Sequence, residues 1–83
     1  MRVAILQINS QVDDPTVKIE EIARRYGDGK IERLDGISVS FADWHFNVRA
    51  SNTEPLLRLN LEAMSEQQMK HGRDEVLAVI RAI

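Results

Sequence analysis

Between residues 37 and 63, apolar side chains return at every second position. Ile37, Val39 and Phe41 make one series, Trp44, Phe46 and Val48 a second, and Leu57, Leu59, Leu61 and Ala63 a third. The positions between are polar: Ser38 and Ser40, then His45, Asn47 and Arg49, then Arg58, Asn60 and Glu62. A period of two sends neighbouring side chains to opposite sides of a strand. Strands of this kind form a sheet with one apolar face, and that face needs a cover.

Two amphipathic segments are the candidates for the cover. In the first, Asp14 suits the N-cap and Pro15 the first helical position. Pro15, Ile19, Ile22, Ala23 and Tyr26 then share a face. Gly27 stands where a left-handed C-cap residue is expected. In the second, Ser65 and Gln68 form a capping box, with Met64 and Met69 at the hydrophobic-staple positions. Met69, Gly72, Val76, Ile80 and Ile83 continue one apolar or small face. Gly72 inside a helix costs ~1 kcal/mol against Ala, so close packing on the sheet is its expected use.

The remaining segments complete the order. Residues 2–8, with Val3, Ile5 and Leu6, read as a first strand. Ile31 to Leu34 and Gly36 to Phe41 read as a hairpin about Asp35-Gly36, and Ala42-Asp43 as the next turn. The last strand spans 56–63. Strand, helix, four strands, helix, joined by short turns, predicts an antiparallel sheet. The fold class is α+β in two layers, both helices on one face. The other face, with His45, Asn47, Arg49, Arg58 and Asn60, is left open to water or to a partner.

Eighty-three residues make one small domain. A net charge of −2 gives no support for nucleic acid as a general partner. The absence of cysteine excludes disulfides and thiolate zinc sites and suits the cytoplasm. No stretch approaches the ~18 apolar residues that span a membrane. The first six residues are too short for a secretory signal.

The densest chemistry lies in Arg49-Ala50-Ser51-Asn52-Thr53-Glu54-Pro55-Leu56-Leu57-Arg58. Short polar residues at a strand-to-strand turn leave backbone N–H groups facing outward, as in an anion-binding nest. Hydroxyls and an amide add donors, and a guanidinium is a charged fork for phosphate oxygens. These are the parts of a clamp for a phosphate monoester. Two plainer readings stand beside it. Loops rich in Ser, Asn and Thr are common hairpin connections. Ser51-x-x-Glu54 also matches a capping box with Pro55 just inside a helix, although the period-two pattern after it argues for a strand.

Other polar residues read as structural. Asp13 and Asp14 are adjacent at a helix start and read as caps. Trp44 and Phe46 repeat with Val48 and read as core. His45 lies on the polar face with no carboxylate paired to it in the sequence, and His71 is a solvated helix residue. Glu54 would repel an anion and is expected to orient the loop. Lys18, Glu20, Glu21, Arg24 and Arg25 read as a wet helix face.

The run Trp44-His45-Phe46-Asn47-Val48-Arg49, Ser51-Asn52-Thr53-Glu54-Pro55 and Arg58-Leu59-Asn60 resembles the C-terminal domain of the α-D-phosphohexomutases, in the phosphomannomutase/phosphoglucomutase branch. Ile8-Asn9-Ser10, Val12-Asp13-Asp14, Tyr26-Gly27-Asp28-Gly29-Lys30 and Leu34-Asp35-Gly36-Ile37 fit it in the same order, so the resemblance covers about residues 7–83. It implies a fold similar to the TATA-box-binding protein, without implying DNA binding. It also implies that this domain holds the phosphate of the sugar that is not being transferred, in an enzyme that interconverts hexose 1- and 6-phosphates through a bisphosphorylated intermediate. Arg49, Ser51, Asn52 and Thr53 are then the phosphate contacts. Arg58 joins them by strand alternation, one or two cross-strand steps from Arg49.

The family's phosphoserine nucleophile, its three magnesium-binding aspartates and its sugar-selecting loop lie in other domains. The resemblance therefore implies no catalytic residue and no cofactor in these 83 residues. Magnesium is expected in the full-length enzyme, with the phosphosugar and the enzyme's other domains as partners. The family usually has Gly-Glu before Ile-Asn, where this chain has Leu6-Gln7, so residues 1–6 read as an altered linker or as extraneous to the domain. The chain reads as a domain taken from a longer mutase. The alternative is a free-standing regulatory module that uses its open sheet face for a small anion or a protein.

Overall fold

The computed structural model describes residues 4–33 and 36–82. Among these the order is β1 (Ala4–Gln11), α1 (Pro15–Arg25), β2 (Lys30–Glu32), β3 (Ile37–Ser40), β4 (Trp44–Ala50), β5 (Leu56–Ala63) and α2 (Glu66–Ile80). The expected two-layer α+β architecture is present, and its sheet is of the TATA-box-binding-protein-like kind. All strand pairs are antiparallel. The spatial order is β1-β5-β4-β3-β2, so the first strand lies beside the last. The Leu34-Asp35 part of the first hairpin, Met1 to Val3 and Ile83 lie outside the described residues.

The alternation sets the two faces. Trp44, Phe46 and Val48 stand opposite Ala63, Leu61 and Leu59, and all six are buried. Ile37 and Val39 extend that layer, facing Val48 and Phe46. From the helices come Ile22, Ala23 and Tyr26 of α1 and its cap, with Val76 and Ile80 of α2. Phe46 has no exposed surface, and burying a side chain of that size contributes ~1.5–3 kcal/mol. Gly72 behaves as its position predicts. A Cβ there would lie 2.8 Å from Trp44 Cε3, so the bare backbone lets α2 rest on the indole.

Several local expectations needed adjustment. β1 starts at Ala4 among the described residues and continues to Gln11, beyond the predicted end at residue 8. Its pairing with β5 persists to Gln11 opposite Leu56, which supplies the hydrogen bonds that polar Asn9, Ser10 and Gln11 gave no apolar reason to expect. Asp14 does cap α1, its Oδ1 accepting from Val17 N at 3.2 Å. Gly27, however, is not left-handed; α1 closes instead through Tyr26 N to Ile22 O and Gly29 N to Tyr26 O, both 3.0 Å. The positive φ belongs to Gly36, at 92°, where a Cβ would run into the Val48 carbonyl.

Lys18 also departs from the wet-face reading. Its side chain is only 14% exposed. Its ammonium donates to Val79 O at 3.1 Å, Ala82 O at 3.0 Å and Glu21 Oε1 at 2.9 Å. No basic residue lies in α2's own last turn, so Lys18 supplies from α1 the positive charge that a helix C-terminus favours. Tyr26 packs edge-on against Phe46 at 5.0 Å and Trp44 at 6.2 Å. Its hydroxyl is buried with no hydrogen-bond partner among the described residues. Burial above all, and then the nearby Glu75 carboxylate, push that hydroxyl's pKa well above the usual phenol range.

Candidate functional site: an arginine pair beside a Ser-Asn-Thr turn

The open face carries the polar half of each strand. His45 stands opposite Glu62, Asn47 opposite Asn60, and Arg49 opposite Arg58. The two arginines are thus direct cross-strand neighbours, closer than one of the two spacings that alternation alone allowed. Cβ atoms of such partners lie about 4.5–5.5 Å apart, and like charges there repel. An anion held between them turns that repulsion into attraction on both sides. Arg49 and Arg58 are each half-buried.

One step beyond the pair, β4 and β5 are joined by residues 51–55. The register forces the turn: Ala50 pairs with Leu57, and Ser51 N donates to Leu56 O at 3.1 Å. Ser51 Oγ accepts from Thr53 N at 3.3 Å and lies 3.5 Å from Thr53 Oγ1. A hydroxyl bonded two residues ahead is a Ser/Thr turn. This settles the capping-box alternative: Ser51 bonds Thr53 rather than Glu54, and Leu56 opens a strand. Beyond it, Leu56 N donates to Glu54 O at 2.8 Å and Val12 N to Pro55 O at 2.9 Å, which ties the turn to the end of β1.

These internal bonds narrow the nest expected from sequence. The Ser51 and Thr53 amides are engaged within the turn, whereas the Asn52 and Glu54 amides have no acceptor among the described residues. The Ser51 and Thr53 hydroxyls and the Asn52 side-chain amide remain as further donors. Asn52 and Thr53 are exposed, as is Glu54.

Arg49, Ala50, Ser51, Asn52, Thr53, Leu56 and Arg58 line one open cleft of about 390 Å³. All five residues singled out as phosphate contacts are therefore brought together. Ala50 and Leu56 complete the walls, and no sequence signal marked them. His45 stands apart, four residues from Arg49 along β4 and so roughly 13 Å away. Its Nδ1 is 2.9 Å from Ser40 Oγ, a contact within the sheet face. Asp13 is exposed and Asp14 is occupied as a cap. Among the described residues, no three His, Asp or Glu side chains converge to hold a metal. No helix among them is long and apolar enough to cross a membrane.

Comparison with known proteins adds a second line. Residues 8–79 match the family described as the phosphoglucomutase/phosphomannomutase C-terminal domain. The chain is 47% identical over 74 residues to a phosphomannomutase of Methanocaldococcus jannaschii, a match covering 89% of this chain and 16% of that protein. It is 37% identical over 76 residues to a phosphomannomutase of Salmonella typhimurium, covering 89% and 17%. It is 39% identical over 74 residues to a protein named phosphohexose mutases in Xanthomonas campestris pv. campestris, covering 87% and 16%. The chain thus spans about a sixth of the length of these relatives. Sequence match, two-layer fold and strand order agree, and the chain belongs to the phosphoglucomutase/phosphomannomutase C-terminal domain family.

Proposed function

We propose that the cleft between Arg49, Arg58 and the Ser51–Thr53 turn grips a phosphate monoester of a hexose. In this reading the chain is the substrate phosphate-binding domain of a phosphohexomutase. The enzyme interconverts hexose 1-phosphate and hexose 6-phosphate through a bisphosphorylated sugar. The observation that carries the reading is the direct Arg49–Arg58 pairing beside three short hydrogen-bonding side chains. Two guanidiniums match the charge of a dianion, and the turn supplies neutral donors to its remaining oxygens. A clamp that contacts only phosphate serves either end of the bisphosphate.

Chemistry then belongs to the remainder of a longer, cytoplasmic enzyme. Magnesium would be held there and would neutralise the transferring phosphate when bound. The carboxylates of the described residues do not form a set that fits it. The role of these 83 residues is to bind and orient.

A titration of the chain with inorganic phosphate, mannose 1-phosphate and glucose 1-phosphate tests this. The expected affinity is about millimolar, equivalent to ~4 kcal/mol. An open cleft must lose hydration and mobility on binding, which holds the affinity down. NMR shifts should concentrate on residues 49–53, the two sugars should bind alike, and salt should weaken both. No turnover is expected from the chain alone. Shifts centred on 70–73, a clear preference between the sugars, or turnover by the pure chain would sink the reading.

A further inference from the structure

We infer that Asn9 is a positioning residue for the clamp: it holds the Arg58 guanidinium by its Nε–H and leaves the terminal nitrogens for phosphate. The inference rests on the reading of the cleft as a phosphate site. The third strand at this level is β1, where Asn9 is the direct partner of Arg58, on the side away from Arg49. Asn9, Arg58 and Arg49 thus form one row across three strands of the open face. Arg58 Nε donates to Asn9 Oδ1 at 3.4 Å. Asn9 itself does not line the cleft.

The chemistry of the contact explains an amide at this place. Arg58 faces a second guanidinium across the strand pair, and repulsion would let its long side chain swing away. A carbonyl oxygen takes one donor and fixes the plane of the fork. With Nε engaged, the remaining edge is the end-on pair of Nη groups, which can meet two phosphate oxygens together. A carboxylate at position 9 would do the opposite. It would form an ion pair with Arg58, compete with the phosphate and remove the charge that the cleft needs.

The 83-residue chain, titrated with inorganic phosphate, tests the assignment through a double-mutant cycle. Arg58→Ala should weaken binding about ten- to hundredfold, the range expected for a charged hydrogen bond. Asn9→Ala should weaken it about three- to tenfold and shift the Arg58 Nε–H resonance. Asn9→Asp, which keeps the shape, should weaken it at least as much. Added to Arg58→Ala, Asn9→Ala should cost nothing further, because its effect passes through Arg58. Circular dichroism should be unchanged in all variants. Asn9→Ala binding like the parent while Arg58→Ala binds weakly would overturn the role of Asn9 and leave the clamp standing. Additive losses would show that Asn9 acts without Arg58 and would equally overturn it. If Arg58→Ala and Arg49→Ala both bind normally, the clamp itself is wrong and the inference goes with it.

Discussion

The two faces of the sheet are made from the same strands and answer to different physics. On the helix side, Phe46, Val48, Leu57, Leu59 and Leu61 are at most 1% exposed. Their identities are set by volume and by the need to leave water. On the open side, single residue steps away, Asn47, Arg49, Arg58 and Asn60 keep part of their surface in solvent. There the choice of residue follows charge and hydrogen bonding. A strand can thus carry a core and a polar, charged face without either compromising the other, because a period of two keeps them apart. The same change of residue should therefore damage stability on one face and recognition on the other.

The largest separation is expected for Phe46→Ala. Loss of a buried phenyl ring costs ~3–5 kcal/mol. A domain of this size has roughly 4–12 kcal/mol in total, so urea unfolding should show a large fall in stability or outright unfolding. A Phe46→Ala protein as stable as the parent would erase the distinction between the faces. Arg49→Ala is the mirror experiment. Loss of a charged contact of ~1.5–3 kcal/mol predicts a ten- to hundredfold weaker phosphate affinity, and the same loss of catalytic efficiency in the intact enzyme, with the unfolding midpoint little moved. An unfolded Arg49→Ala protein would move that residue from recognition to structure.

Gly72→Ala sharpens the account of the covered face. Helix propensity favours Ala by ~1 kcal/mol. The new methyl would meet Trp44 at 2.8 Å and Leu61 Cδ1 at 3.3 Å. Overpacking of this kind costs ~1–3 kcal/mol, so a net destabilisation of about 0–2 kcal/mol is expected in chemical denaturation. A gain in stability would show that the helix layer can slide. The smallest effect belongs to the helix surface. A hydrogen bond from Arg33 holds the Glu20 carboxyl below its ordinary value near 4.5, and one from Lys18 does the same for Glu21. A lowered folded-state pKa gives stability that is complete above the unfolded value and is lost as pH falls through the folded one. Thermal melting from pH 7 to pH 3 should show a modest decline across that acid range, and Glu20→Gln with Glu21→Gln should flatten it. Glu20 is exposed and Glu21 only half-buried, so a steep loss would place the acid-sensitive contact elsewhere.

Most of the covered face was legible because alternation is a local signal. Trp44, Phe46 and Val48 could be assigned to the core from their spacing alone, and they are buried. The lining of the candidate cleft was legible in its membership and less so in its geometry. Ser51, Asn52, Thr53 and the arginines announce themselves by type. Which residue faces which depends on where the turn closes, and only the Ser51–Leu56 bond fixes Arg49 directly across from Arg58. The place of β1 was beyond local reasoning. Nothing in Ala4–Gln11 says that it should add to β5, so the meeting of Asn9 with Arg58 had no sequence signal. Gly27 misled for a related reason: a glycine after a helix permits a left-handed cap without requiring one. Lys18 looked like solvent-facing charge because its partners, the α2 carbonyls, lie at the far end of the chain.

The adjacency of β1 and β5 also says something about how the domain is made. Ala4 must wait for Ala63, and every pair in that ladder joins the beginning of the chain to its second half. At ~5–20 residues per second of synthesis, β1 leaves the ribosome roughly 3–12 s before the last residue of its partner β5. Its eight residues include no charge and no proline, the usual safeguards of an unpaired strand. The period most exposed to misassembly therefore falls before β5 emerges, and the Arg49–Arg58 cleft, built partly on β5, comes into being in the same step that ends it.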